Sequence, residues 1–420
     1  MNVVSHRRSY LLIFSLIMTS PVWATADPSQ QTAVPDRLTI SVSPSDEPLP
    51  KEPPGSEMTE RGRHIRGIYI PVAKVAHAKP KKFIQWLKNI GADAVVMDIK
   101  DDHGRVTFTK DLPLAKGSPH GLVPKMAALV EALKAEGIYT IGRLVCFKDN
   151  FLYKKHPESA IVDRRDGKPW RDRKGSVWSD PFSLTAHEHI AAIAAAAEKI
   201  GFDEIQLDYV RFPVDGETRY AKYPNKDPEL ARYQVIQLLL ARVDYQISTP
   251  LSIDVFGLTV NRIGDPQGLG QSLEHLAPFI DAVSPMLYLA NQPEEIWATA
   301  TLKMSRDLVY NAVKRIRARL SDQIAIRPLL QGFEYRASFF GVDFIYGQVE
   351  AATSGGAGGH LFWNQGGFYP QLARAWKRSL PDAPVSSETS VENAKNTLPS
   401  LSEPEQDAGV MSEDTSSELL

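Results

Sequence analysis

Residues 201–213 read GFDEIQLDYVRFP, and the alternation inside this stretch decides the fold. Successive side chains of a strand point to opposite faces. Ile205, Leu207 and Tyr209 therefore share one face, and Glu204, Gln206 and Asp208 share the other. An apolar face backed by a polar one fits a strand with helices on one side and a barrel lumen on the other. Gly201, just before it, suits the left-handed C-cap of a preceding helix. Three inward polar side chains each need a partner, which a merely structural core would avoid.

Working outward, similar β-rich runs occur at 66–71, 94–99, 140–146, 251–256, 282–288, 326–332 and 359–363. With 204–209 they make eight. Helical periodicity falls between them at 79–90, 123–136, 185–200, 228–247, 304–320, 342–353 and 370–378, with a weak fifth helix at 270–278. Eight strands separated by helices predict a closed parallel (β/α)8 barrel of the TIM type, with a doubly wound sheet as the alternative. The links argue the same way. Helix-to-strand connections are short (91–93, 137–138, 201–202), whereas 147–184, 210–227, 257–269 and 289–303 are long strand-to-helix loops. Elaboration at one end is expected where the chemistry sits at the C-terminal ends of barrel strands.

The barrel is expected to occupy 62–380 of the 420 residues as a single domain between disordered tails. Hydrophobic residues at 43% and charged residues at 23% place the chain among soluble globular proteins. A net charge of −2 offers no concentrated basic surface, so no nucleic-acid partner is expected. Residues 1–26 read as a cleavable signal peptide, with Arg7 and Arg8, a short apolar core and Ala24-Thr25-Ala26. Export to the periplasm or beyond is expected, with no stable membrane insertion after cleavage because the apolar run is short for spanning a bilayer; an uncleaved N-terminal anchor is the alternative. Residues 27–61 read as a disordered linker, and 381–420 as an acidic tail with Lys395 its one basic side chain. An envelope protein partner would engage through these tails. Cys146 is the only cysteine, so no intramolecular disulfide forms, and its apolar setting predicts a buried inert thiol.

By parity Asp208 is the last lumen residue of the fourth strand, at the mouth. On the fifth, Ser252, Asp254 and Phe256 share a face, which stands Asp254 beside Asp208. Two carboxylates on neighbouring strands suit glycoside hydrolysis, one as nucleophile or base and one as proton donor. The donor needs a pKa raised by burial or by its neighbour's charge. A structural reading instead ties Asp208 to Arg143 or Arg211, and makes Asp254 a hydrogen-bonding residue. Arg143, between apolar neighbours, demands an anion, which Asp98 or Asp208 supplies. Asp98 and Lys100 share the lumen face of the second strand. Asp101 and Asp102 follow in a loop without EF-hand spacing, so a solvated loop is expected rather than a metal site. On the seventh strand Gln331 and Phe333 face inward, and Glu334 is a second donor candidate.

Aromatic residues crowd the expected mouth: Tyr69, Phe147, Trp170, Trp178, Phe182, Phe212, Phe256, Tyr288, Phe333 and Trp363. Sugar rings stack on such planes. Trp170 and Trp178 weigh most, because their loop is polar and a core there is unexpected. The expected substrate contacts are Asp98, Lys100, Arg143, Gln206, Arg211, Trp178, Tyr288, Gln331, Glu334 and Trp363. No G-x-S-x-G, H-E-x-x-H or Walker glycine loop is present. The glycines at 355–359 precede a strand, and His187 and His189 cannot share a helical face. No cofactor or metal is expected.

Residues 201–213, with 66–71, 94–102 and 281–288, resemble a bacterial family of candidate glycoside hydrolases, formerly a domain of unknown function. That family is related to the α-amylase-like (β/α)8 barrels. The resemblance covers roughly 64–380, and D-Y-x-R-F-P at 208–213 is its most specific element. In such barrels the nucleophile is an Asp ending the fourth strand, a position Asp208 matches. The acid is a Glu ending the fifth, where this chain has Asp254. The resemblance implies action on a polysaccharide or oligosaccharide. The rival expectations are a carbohydrate-binding barrel that does not cut, and an envelope scaffold.

Overall fold

A computed structural model describes residues 58–109, 112–115, 123, 125–265 and 268–378. The signal, the acidic tail and all of the linker before residue 58 lie outside the described residues. The strands are β1 (Arg66–Ile70), β2 (Ala94–Lys100), β3 (Tyr139–Val145), β4 (Val162–Asp163), β5 (Glu204–Asp208), β6 (Ala221–Lys222), β7 (Leu251–Phe256), β8 (Ala282–Met286), β9 (Ala325–Ile326), β10 (Leu329–Gln331) and β11 (His360–Trp363).

Parallel pairing runs β1-β2-β3-β5-β7-β8-β9, and β11 joins β10 to β1. A further β10–β8 pairing, Leu329 opposite Met286, closes the barrel. The seventh stave, expected as one strand over 326–332, is split into β9 and β10 at Arg327-Pro328. Proline donates no N–H to a ladder, so the pairing breaks there. The short pair β4–β6 is antiparallel and lies within the long loops after β3 and β5. The weak fifth helix is a single turn, Leu273–Leu276, that passes into a 3-10 turn at Ala277–Phe279.

Between sheet and helices the packing is apolar. Ile205, Leu207, Ile253 and Val255 meet helix residues such as Ile193, Leu239 and Val313, all fully or almost fully buried. Each such side chain contributes about 1.5–3 kcal/mol by leaving water. Hydroxyls cap the starts of two of the longer helices: Ser183 accepts from the Ala186 amide, and Thr301 from that of Met304. Helices stop at the short links, where Gly91, Gly137 and Gly201 take φ of 84°, 73° and 97°.

The folded body starts before residue 62, because the last residues assigned to the linker are part of it. Met58 packs on Ala282 and Ala325, the first residues of β8 and β9. The helical turn Glu60–Arg63 follows, and Arg327 Nη1 donates to the Gly62 carbonyl at 2.8 Å. Together they close the base of the barrel, opposite the mouth. The last helix, Leu372–Trp376, returns to that base, where Trp376 Nε1 donates to Nε2 of His360, the first residue of β11.

Candidate active site

The lumen is polar along β5 and β7. At its base Arg327 donates from Nη1 and Nη2 to the two oxygens of Glu204, which also accepts from the Tyr139 and Ser252 hydroxyls. One level up, Gln206 Nε2 donates to Ser284 Oγ at 3.4 Å, and its Oε1 has no partner. The register Leu207–Ile253 brings Asp208 and Asp254 side by side at the next level. Both are enclosed, at 6% and 1% exposure.

Their surroundings differ. Asp208 receives three N–H donors: Arg143 Nε (3.0 Å) and Nη2 (2.5 Å) on Oδ2, and its neighbour's amide, from Tyr209, on Oδ1 at 2.6 Å. Tyr209 reaches back because its φ is 50°, a left-handed conformation that is rare outside glycine. Asp254 has no donor on Oδ1. Burial, reinforced by the charge of Asp208, pushes its pKa well above the usual carboxylate range, so its neutral form is favoured.

Arg143 spans two strands. Its Nη1 donates to Asp98 Oδ1 at 2.6 Å, and the Tyr69 hydroxyl donates to Asp98 Oδ2 at 2.7 Å. Burial raises Asp98 to about 6, against the opposing pull of Arg143 and the Tyr69 hydrogen bond. Trp363 stacks on Tyr69 with centroids 3.9 Å apart, and the guanidinium of Arg143 lies 4.8 Å from its ring centre. Tyr288 packs edge-on against Phe333 and stays buried. Glu334 is exposed, as are Tyr335 beside it and Phe368 (65%) on the loop after β11.

Three expected substrate contacts are placed elsewhere. A bulge shifts the β2–β3 register between Asp98 and Lys100, so parity does not carry from one to the other. Lys100 is fully buried, with Nζ on the carbonyls of Val145, Cys146 and Lys148 and 3.1 Å from Asp149. It fastens the loop after β3. Gln331 is likewise consumed by backbone: its Oε1 accepts from the Ala290 amide, and its Nε2 donates to the Phe333 and Tyr335 carbonyls. Trp178 and Trp170 are buried, not displayed. The polar loop folds over them, and their ring N–H groups find Asp172 and the Glu217 carbonyl. Charge-rich sequence hid a local core.

Arg211 is buried between the rings of Phe256, Trp178 and Tyr209. Sequence reasoning missed the Glu204–Arg327 pair, although Arg327 carries the signal that exposed Arg143: an arginine amid apolar strand residues. It also missed the Tyr69–Asp98 link, which no spacing rule announces.

A family model described as "Putative glycosyl hydrolase domain" (DUF4015) matches residues 67–369. No curated protein is similar enough in sequence to count as a relative. Among solved structures, the fold is similar to the PgaB (BpsB) glycoside hydrolase domain from Bordetella bronchiseptica. That likeness has 15% identity over 74% of this chain and 97% of that one, with a TM-score of 0.55. It is also similar to α-L-fucosidase isoenzyme 2 from Paenibacillus thiaminolyticus, at 13% identity over 74% of this chain and 48% of that one, TM-score 0.51. A hypothetical protein from Ruminiclostridium thermocellum aligns at 30% identity over 45% of this chain and 97% of its own, TM-score 0.41. With most of the barrel covered by the family model, the chain belongs to this glycosyl hydrolase domain family.

Proposed function

We propose that the barrel hydrolyses a glycosidic bond in a cell-envelope or extracellular polysaccharide, with Asp208 as nucleophile and Asp254 as proton donor. One observation carries this reading. Two adjacent carboxylates at the mouth differ in the one respect the chemistry needs: Asp208 is met by N–H donors, whereas Asp254 is buried with no donor on Oδ1, which with the charge of Asp208 raises its pKa. The neutral acid passes its proton to the departing glycosidic oxygen as the C–O bond breaks. Asp208 attacks the anomeric carbon, or takes a proton from the attacking water if the reaction inverts. Arg143 fixes Asp208 in place, and Asp98 with Tyr69 fixes Arg143. Export rests on the signal-like residues 1–26 alone.

The test compares leaving groups. Asp254→Asn is expected to lose turnover on natural glycans and retain it on aryl glycosides whose phenolate departs unprotonated. Asp208→Asn is expected to lose both by about 1,000-fold or more. Full activity of Asp208→Asn on either substrate sinks the assignment. A second reading, a barrel that binds glycan without cutting it, is favoured by Asp208 having both oxygens engaged. It predicts intact oligosaccharide after prolonged incubation. A scaffold role would draw on the tails, outside the described residues.

A further inference from the structure

We infer that the glycan taken by this barrel is anionic, and that Arg211 receives its charged group. The inference rests on the hydrolase reading for the location of the site and adds the substrate class to it.

Three buried arginines serve the lumen and its mouth, and two have carboxylates. Arg143 holds Asp98 and Asp208, and Arg327 holds Glu204. Arg211 is 5% exposed and has no ion-pair partner among the described residues. Its one hydrogen bond runs from Nη1 to the carbonyl of the adjacent Phe212, at 3.0 Å. A guanidinium has five N–H donors, so most of its capacity is uncommitted. Asp215, Asp208 and Asp172 act on the cation from outside ion-pair distance, but burial outweighs them; an under-compensated buried cation is costly, and such a group is kept where a ligand completes it.

The position is beside the carboxylate pair. Arg211 follows Asp208 by three residues, and its guanidinium lies 4.3 Å from the ring centre of Phe256, two residues beyond Asp254. Trp178 and Tyr209, at 5.0 and 5.2 Å, fix the cation without supplying an anion. Two of the neighbouring acids are already engaged. Asp208 is bound by Arg143, and Asp172 by the Trp178 ring and the amides of Lys174 and Ser176. Asp215 keeps an enclosed Oδ1 without a partner; its charge is felt at Arg211, but the two do not close to an ion pair. A planar pair of oxygens on a sugar, as a uronate carboxylate or an ester sulfate or phosphate presents, matches the free edge of the fork.

The experiment applies the labelled full chain to immobilised oligosaccharides in three groups: neutral, uronate-bearing, and sulfate- or phosphate-bearing. Retention is expected on a charged group only, weakened about ten-fold or more in Arg211→Met. Which charged group binds separates the carboxylate from the ester source. Retention of neutral glycans alone, of no charged glycan, or equally by the variant overturns the inference. Melting is read in parallel. With no carboxylate partner to lose, and with Met filling the place of the stem among the rings, Arg211→Met is expected to melt at or above the wild-type temperature without glycan. A fall of several degrees in Arg211→Met, matched by Asp215→Asn, reveals the two closing on each other and overturns it likewise. A chain that cuts neutral glycans through Asp208 keeps the hydrolase reading and loses this one.

Discussion

Arg143 meets Asp208 side-on, with Nε at 3.0 Å and Nη2 at 2.5 Å from the same oxygen, Oδ2. Oδ1 is left to the Tyr209 amide. The two oxygens of Asp208 are thus distinguished by strand geometry before any substrate arrives. The remaining Nη1 reaches Asp98, so a single guanidinium ties β3 to both neighbouring strands.

Removing that guanidinium strands two buried carboxylates. Arg143→Met is expected to cost about 3–5 kcal/mol of stability, the usual penalty for breaking a buried ion pair from one side. Arg143→Lys keeps the charge but cannot span both acids, so it should recover part of the stability and little of the turnover. Urea midpoints and kcat on one panel of variants check both statements. Equal turnover in Arg143→Lys and wild type contradicts the positioning role.

Asp254 predicts a pH signature. Its folded pKa is raised, so the folded state keeps a proton that the unfolded chain gives up above about pH 4. This stability is fully present in acid and is lost as pH rises. Relative to Asp254→Asn, which has no proton to hold, wild type should lose about 1.4 kcal/mol per pH unit from about pH 4 upward. The slope ends at Asp254's own folded pKa. Comparing urea midpoints of the two proteins at successive pH values isolates the effect from His187, His189 and His360. Those three act in the opposite sense, since burial lowers them to about 4, 4 and 3. A flat difference between the two proteins means Asp254 is ionised in the fold.

Aromatic residues at the mouth should separate by exposure. Trp178 is fully buried, so Trp178→Ala is expected to cost about 3–5 kcal/mol. Phe368 stands 65% exposed at the rim, so Phe368→Ala should leave the melting temperature within about 1–2 degrees. Its effect should appear in KM for long glycan chains and be absent for aryl monosaccharide glycosides. A KM rise on both substrates would place Phe368 against the reacting sugar instead.

The base of the lumen offers a control. Glu204→Gln leaves Arg327 without its carboxylate, and a loss of about 3–5 kcal/mol is expected with KM unchanged in whatever folds. A KM change without destabilisation would link the base to substrate binding.

Strand order, barrel closure and the position of Asp208 were legible because the 204–209 alternation is strict and the short helix-to-strand links carry their glycines. Asp254 was found by the same parity. Parity failed at Lys100 because a bulge inserts Ile99 between two counted positions, and a two-residue period has no memory across a bulge. Trp178 was misread for another reason. Its loop carries charge, but Asp172 turns those charges into hydrogen bonds for the indole N–H and the backbone, and a small core forms within polar sequence. The break at Pro328 was written in the sequence and was passed over, since the run around it is otherwise apolar.

The closure of the barrel's base by residues 58–63 has a consequence for handling and anchoring. Met58 and Trp376, near the two ends of the described residues, both pack at the N-terminal ends of the staves, across the barrel from Asp208. Affinity handles, surface tethers or fused proteins joined to either end of the folded body therefore attach behind the opening. A molecule held at either of these two points presents its mouth away from the attachment, toward whatever polymer lies in front of it.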